Sequence, residues 1–382
     1  MNSHRHLLYV SDLVPGPGQG GQVILDRHLR RLAAEGWEIT IVSSQPARLP
    51  GPWQHRTLPA RRWWWPPFRP RHALLAALRA RAWELELRAV PRADAIVTVV
   101  GGKLGWLAAH LATVQRAPLV AFVHDHWREC GASDDARVAE RVCRSARHLL
   151  AVSEEMRASL AAEFPRTPCS VLPPIPAERA GAFATWREIH ASRPVIAHVG
   201  ALHAYHAPFL ERVARTWAER GGTLLLLCPA DNPVLTELRR RIPNLRHQSF
   251  FPENRDALAF IAEHASALAV MYPFGREEHG APPTGFPSRF VEFVQLGLPI
   301  LIAAPLRNPI RSWAQRHAWP AQIDPADEAA LQQTAEQFTT RAGWETCARA
   351  AQHVAEGEFD ANAIHRRFSE LLDQLPARSR AA

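Results

Sequence analysis

Several kinds of segment are missing from this sequence, and each absence removes a class of function. No apolar run approaches the roughly 20 residues that a membrane-spanning helix needs, and the opening residues MNSHRHLLYV are too short and too polar for a signal peptide. A cytoplasmic protein is therefore expected. Cysteine is scarce: Cys130, Cys143, Cys169, Cys228 and Cys347 are odd in number, scattered, and never paired as C-x-x-C. Neither a disulfide framework nor a zinc site is indicated. Fixed-period repeats and long low-complexity tracts are also lacking.

What is present describes a globular protein with a full core, at 47% hydrophobic and 21% charged residues. A chain of 382 residues is long enough for two domains of ordinary size. The net charge of +8 favours an anionic partner: a nucleotide, a nucleic acid or an acidic lipid surface. Charge alone does not choose among them.

Apolar strand-like runs alternate with helical segments throughout, which makes a mostly parallel sheet covered by helices on both faces. In the first half the runs are residues 6–11, 38–44, 95–100, 118–123, 148–153 and 170–172. The first helix places Leu25, Leu29 and Leu32 on one face and stops near Gly36. Around residues 173–193 the proline-rich PPIPAERAGAF breaks the pattern. A second series of runs follows at 194–200, 223–228, 245–250, 267–272 and 299–303. The fold class expected is α/β, with two Rossmann-like domains facing across a cleft. Their bounds are 1–176 and 194–357, joined by a linker at 177–193; a last helix at 358–375 crosses back to the first domain, and a tail occupies 376–382.

In such sheets ligands collect beyond the carboxyl ends of the strands, so the loops there carry the functional reading. Residues 284–303, TGFPSRFVEFVQLGLPILIA, string together a Gly/Pro loop, a short helix and a buried strand. Pro287 and Ser288 mark the helix start, with the serine hydroxyl a candidate cap, and Gly297 with Pro299 marks its stop. Such a start attracts a phosphate, and Glu292, one turn in, suits a sugar hydroxyl. The pairing suggests a nucleotide-sugar pocket.

Four other stretches bear on it. Residues 11–22, SDLVPGPGQGGQ, contain Gly16-x-Gly18-x-x-Gly21, a formal dinucleotide fingerprint. Pro17 stiffens the loop and the second strand ends without a carboxylate to hold a ribose, which counts against NAD. The favoured reading is a backbone that comes close to a ligand at Gly20 and Gly21. His124-Asp125-His126-Trp127 follows a buried strand. There His124 is the candidate to contact a sugar hydroxyl or take a proton, and Asp125 to hold its tautomer or meet the acceptor. The loop from Gly200 to His206 offers two histidines and a tyrosine, which suit either a diphosphate and base or a solvated turn. Finally, RRWWWPPFRPR at 61–71 sets Trp63, Trp64 and Trp65 among arginines, with an arginine-rich helix at 72–88 after it. It fits contact with an anionic membrane or an acceptor, or equally the edge of the first domain; nucleic acid is set aside because no recognition module is legible.

Taken together PGQGGQVILDRHLRRLAAEGWEITIVSS, FVHDHW, LLAVSEEMRASL, VIAHVGAL and FPSRFVEFVQLGLPILIAAP resemble the broad family-four group of retaining glycosyltransferases with the GT-B fold. The resemblance implies a nucleoside-diphosphate sugar as donor substrate, no cofactor and no metal; consistently, the sequence has no D-x-D. It also implies that Glu292 holds the donor ribose. The amides around Thr284, Gly285, Phe286 and Ser288 would meet the diphosphate and sugar, His124 the sugar, and Gly20 and Gly21 the donor phosphates. Two departures stand out. The family's first glutamate is Thr284 here, and the Gly-Arg and lysine after the second domain's first strand are replaced by Ala201 and His206. Arg289 or Arg276 is the candidate replacement cation.

The function expected is transfer of a glycosyl group to a glycan or lipid-linked acceptor in cell-surface polysaccharide or glycoconjugate synthesis, peripheral on the inner face of the cytoplasmic membrane. The rivals are a nucleotide-sugar epimerase of the same fold and a non-catalytic sugar- or nucleotide-binding protein.

Overall fold

A computed structural model describes residues 5–18, 20–44, 49–58, 90–128, 133–179, 181–272 and 284–375. Trp63, Trp64, Trp65, the basic helix expected at 72–88, and Arg276 lie outside the described residues. The chain divides into two compact units, one of Met1–Gly16, Gly21–Leu172 and Arg366–Ala382, the other of Pro17–Gly20 and Pro173–His365.

The first unit is built on β1 (Arg5–Val10), β2 (Trp37–Ser43), β3 (Gln54–Thr57), β4 (Ala95–Val99), β5 (Leu119–Val123), β6 (His148–Ala151) and β7 (Cys169–Val171). All pair in parallel, in the order β3-β2-β1-β4-β5-β6-β7. Strands β4 and β5 are buried along their whole length, as a sheet covered on both faces requires. Helices α1 (Gly20–Ala34), α2 (Leu104–Gln115), α3 (Ser133–Ser145) and α4 (Glu154–Glu163) connect them. On α1 the expected face buries Leu25, Leu29 and Leu32, joined by Val23, Ile24 and His28. Ser153 caps α4 by accepting the Met156 N–H at 2.9 Å.

The second unit holds α5 (Ile189–Ser192), β8 (Val195–Val199), a 3₁₀ turn (Ala204–His206), α6 (Ala207–Ala218), β9 (Thr223–Leu227), α7 (Pro233–Arg241), β10 (Leu245–Gln248), α8 (Asn254–His264) and β11 (Ala267–Met271). It continues with α9 (Ser288–Val294), β12 (Ile300–Ala303), α10 (Pro309–Arg316), β13 (Gln322–Ile323), α11 (Glu328–Thr339), α12 (Arg341–Glu356) and α13 (Ala361–Gln374). Its six strands, also parallel, run β10-β9-β8-β11-β12-β13. The core centres on Phe209, Trp217, Leu224, Leu226 and Phe338, all at most 1% exposed.

The linker segment packs within the second unit: Ala184 N–H donates to Leu296 O at 2.9 Å, and α5 places His190 against Trp344 with ring centroids 5.1 Å apart. The division between units falls inside α13, whose residues from Arg366 on belong with the first. Phe368 there stacks edge-on against Phe122 at 5.1 Å and His28 at 4.9 Å.

Candidate functional site

Each sheet reverses its strand order once, between β1 and β4 in the first and between β8 and β11 in the second. Ligands of open parallel sheets gather outside the carboxyl ends of the strands at such a reversal. The loops leaving β1 and β8 are therefore the candidate ligand sites of their units.

In the first unit the chain turns after β1, and Gly16 N–H bonds Gln22 O at 3.3 Å. Helix α1 opens with Gly20 at φ +44°. Gly21 then passes so near the loop after β5 that a Cβ would stand 2.7 Å from His124 Nδ1 and 2.8 Å from Leu13 Cδ2, inside the 3.0 Å that real Cβ atoms keep. The glycine expected to admit a ligand is thus required by a side chain of its own unit. His124 is half-buried, its ring edge-on to Phe122 at 6.0 Å. Burial pushes its pKa down to about 4, so the imidazole is neutral at pH 7, with one nitrogen donating and one accepting. Asp125 is exposed, and the protein around it holds its carboxyl above the ordinary value.

His126 is buried instead, stacked on Trp127 at 4.4 Å, with Nε2 3.7 Å from Glu163. Glu163 and Glu140 in turn hold Arg128 at 2.6 and 2.9 Å, so this part of the loop is tied to α3 and α4. Asp12 was not singled out by its sequence context, although a carboxylate directly after a buried strand is a signal. Its Oδ2 accepts the Leu104 N–H at 2.8 Å and its Oδ1 the Ser44 hydroxyl at 3.1 Å, pinning the β1 loop to the start of α2.

In the second unit the organising group is Arg289, the second residue of α9. Its Nη1 donates to Val199 O at 3.0 Å, and Gly200, at φ +128°, leaves room for the guanidinium: a Cβ there would lie 2.9 Å from Nη1. A cation is thereby laid over the carboxyl end of β8, where Ala201 and His206 replace the expected basic pair. His206 itself is buried and accepts the His203 N–H on Nδ1 at 3.2 Å, so it serves its own turn. Behind it His198 is fully buried, with Nδ1 3.3 Å from Ala269 O and Nε2 without a partner among the described residues. Burial first, then Arg289 and His206, hold its pKa far below the ordinary value. The lone polar residue in the apolar run VIAHVG was the signal for it.

Glu292 is half-buried, and its Oε2 accepts the Ala177 N–H at 3.1 Å. Thr284 and Gly285 are buried. The Phe286 ring packs 6.2 Å from Phe290 and 6.0 Å from Phe359. The serine cap expected at Ser288 does not form: Pro287 is the cap residue, without a side-chain bond, because Ser288 already lies inside the helix. The helix ends at Val294, and Gly297 follows at φ +67°. Among the described residues no three His, Cys, Asp or Glu side chains stand together as metal ligands, and no helix is long and apolar enough to cross a membrane.

Residues 18–175 match the family described as Glycosyltransferase Family 4. No curated protein sequence matches the chain. Solved structures similar to it include Anabaena HepE in complex with UDP and glucose, at 17% identity and a TM-score of 0.67, covering 97% of this chain and 100% of that one. A glycosyltransferase from Rickettsia africae reaches a TM-score of 0.71 at 13% identity, with 98% of each chain covered. WaaG, a glycosyltransferase involved in lipopolysaccharide biosynthesis, has 0.64 at 14% identity over 97% of this chain and 100% of its own. Residues 18–175 thus carry the Glycosyltransferase Family 4 sequence pattern, and the chain as a whole has the two-sheet α/β fold of the GT-B glycosyltransferases.

Proposed function

We propose that this protein is a metal-independent, retaining glycosyltransferase that moves a sugar from a nucleoside-diphosphate sugar to a glycan or lipid-linked acceptor. The observation that carries the reading is the guanidinium of Arg289 laid over Gly200 at the reversal point of the second sheet. In transfer the bond from the anomeric carbon to the diphosphate breaks, and the acceptor hydroxyl oxygen takes its place. The hydroxyl proton leaves with the diphosphate. Arg289, with the backbone N–H groups of Thr284, Gly285, Phe286 and Ser288, meets the charge that develops on that leaving group. Glu292 receives donor hydroxyls. In the first unit the neutral His124 offers one donor and one acceptor to a sugar hydroxyl, with Asp125 beside it.

Support for a nucleotide-sugar donor comes from the similar structures solved with UDP and with UDP-glucose. An anionic, membrane-proximal acceptor side fits the charge distribution. The second unit has two more acidic than basic residues, so the net +8 arises wholly in the first.

A thermal-shift screen against UDP-, GDP-, dTDP- and CMP-linked sugars tests the reading, since a ligand bound to the native state raises its apparent stability. One donor class should raise Tm in the wild type and fail to do so in Arg289→Ala. No shift with any donor would remove it.

A further inference from the structure

We infer that the backbone N–H of Ala177 is a positioning group for donor binding, holding the carboxylate of Glu292 in the orientation that receives the donor. The inference rests on the assignment of Glu292 to the donor site. Three contacts carry it. Ala177 N–H donates to Glu292 Oε2 at 3.1 Å; Ala184 N–H donates to Leu296 O at 2.9 Å; and Phe183 lies so close to Gly297 that a Cβ there would meet its ring at 2.8 Å. The linker therefore tracks α9 from the residue bearing the carboxylate to the glycine that follows the helix.

The donor is also rigidly presented. Pro173, Pro174 and Pro176 precede it, all buried, and proline fixes its own φ. A carboxylate has two oxygens and about four lone-pair directions, and the linker N–H restrains where Oε2 points. A glutamate with three rotatable bonds, ordered in advance, loses less entropy when the ligand arrives.

The test is a double-mutant cycle on full-length protein, read by calorimetric titration with UDP, GDP, dTDP and CDP in turn. Ala177→Pro removes the N–H, and Ala177→Ser keeps it. The expected result is roughly tenfold weaker binding of the preferred nucleotide in Ala177→Pro, restored binding in Ala177→Ser, and no further loss when Ala177→Pro is added to Glu292→Ala. If Glu292→Ala weakens binding and Ala177→Pro does not, or if Ala177→Pro weakens it equally in both backgrounds, the inference is overturned and the site assignment stands. If Glu292→Ala binds as the wild type does, or no nucleotide binds, the site assignment falls and takes the inference with it. Should Ala177→Pro fail to fold, amide hydrogen exchange decides: the Ala177 N–H should exchange at least tenfold faster in Glu292→Ala than in the wild type, and equal rates would overturn the inference.

Discussion

Gly21 has no side chain because His124 occupies the space: a Cβ on the glycine would stand 2.7 Å from Nδ1 of the imidazole. The first turn of α1 and the loop after β5 are thereby fitted to each other. Gly21→Ala should displace His124, lower transferase activity about 10- to 100-fold and destabilise the fold by about 1 kcal/mol, the common cost of overpacking. Gly16→Ala is the control, because among the described residues nothing lies within 4 Å of its Cβ position. Equal activity in the two variants, measured with melting curves alongside, would contradict the fit.

The same logic applies to Gly200 and Arg289. Gly200→Ala combines a φ of +128° with a contact 2.9 Å from the guanidinium, so it should shift the cation and raise the donor KM. Arg289→Lys keeps the charge but loses the planar fork, and lysine is no equivalent at such a site. A donor KM raised about tenfold in both variants is expected; steady-state kinetics showing wild-type KM in both would refute the role.

Acid should reveal the neutral histidines. An unperturbed histidine has a pKa of about 6.5, whereas His124 is held at about 4 by burial. The acid limb of kcat/KM is therefore expected near pH 4, with activity flat from pH 7 down to about 5. A limb at 6.5 would exclude His124 as the titrating group.

Stability follows the same sign. His190 is 1% exposed, and burial, then Arg187, lower its pKa to about 4. The unfolded chain therefore binds the proton first as pH falls. Its contribution is full above pH 6.5, is lost as pH falls toward 4, and amounts to about 3 kcal/mol. Denaturant midpoints at pH 7 and pH 4.5 should fall less on acidification in His190→Phe than in the wild type; equal falls would argue against it.

Much of the fold was legible because buried parallel strands read as short apolar runs. The expected run at 223–228 became β9, and 267–272 became β11, each within a residue. Strands β3 (QHRT) and β13, two residues long, escaped because both stand at sheet edges and lack apolar runs. Around the candidate site, what was legible is local backbone geometry: the positive φ of Gly20, the close approach at Gly21 and a helix beginning at Ser288. The site was not legible where partners are distant in sequence. Nothing near Arg289 announces that its guanidinium reaches Val199 O, 90 residues away, and nothing near Glu292 announces the amide of Ala177. His206 illustrates the converse, since a residue at the expected cation position is buried against its own turn. Replacing arginine and lysine there fits a chain in which Lys103 is the only lysine.

Sugar transfer from a nucleotide donor is tested directly by one assay. Purified wild type, Arg289→Ala and Glu292→Ala are incubated with UDP-, GDP- and dTDP-sugars and a lipid-linked glycan extract, and the nucleoside diphosphate released is quantified alongside sugar incorporated into the extract. Acceptor-dependent release by the wild type with one donor, reduced at least 100-fold in both variants that remain folded, is the predicted result. Release that is absent with every donor, or undiminished in the variants, would contradict it.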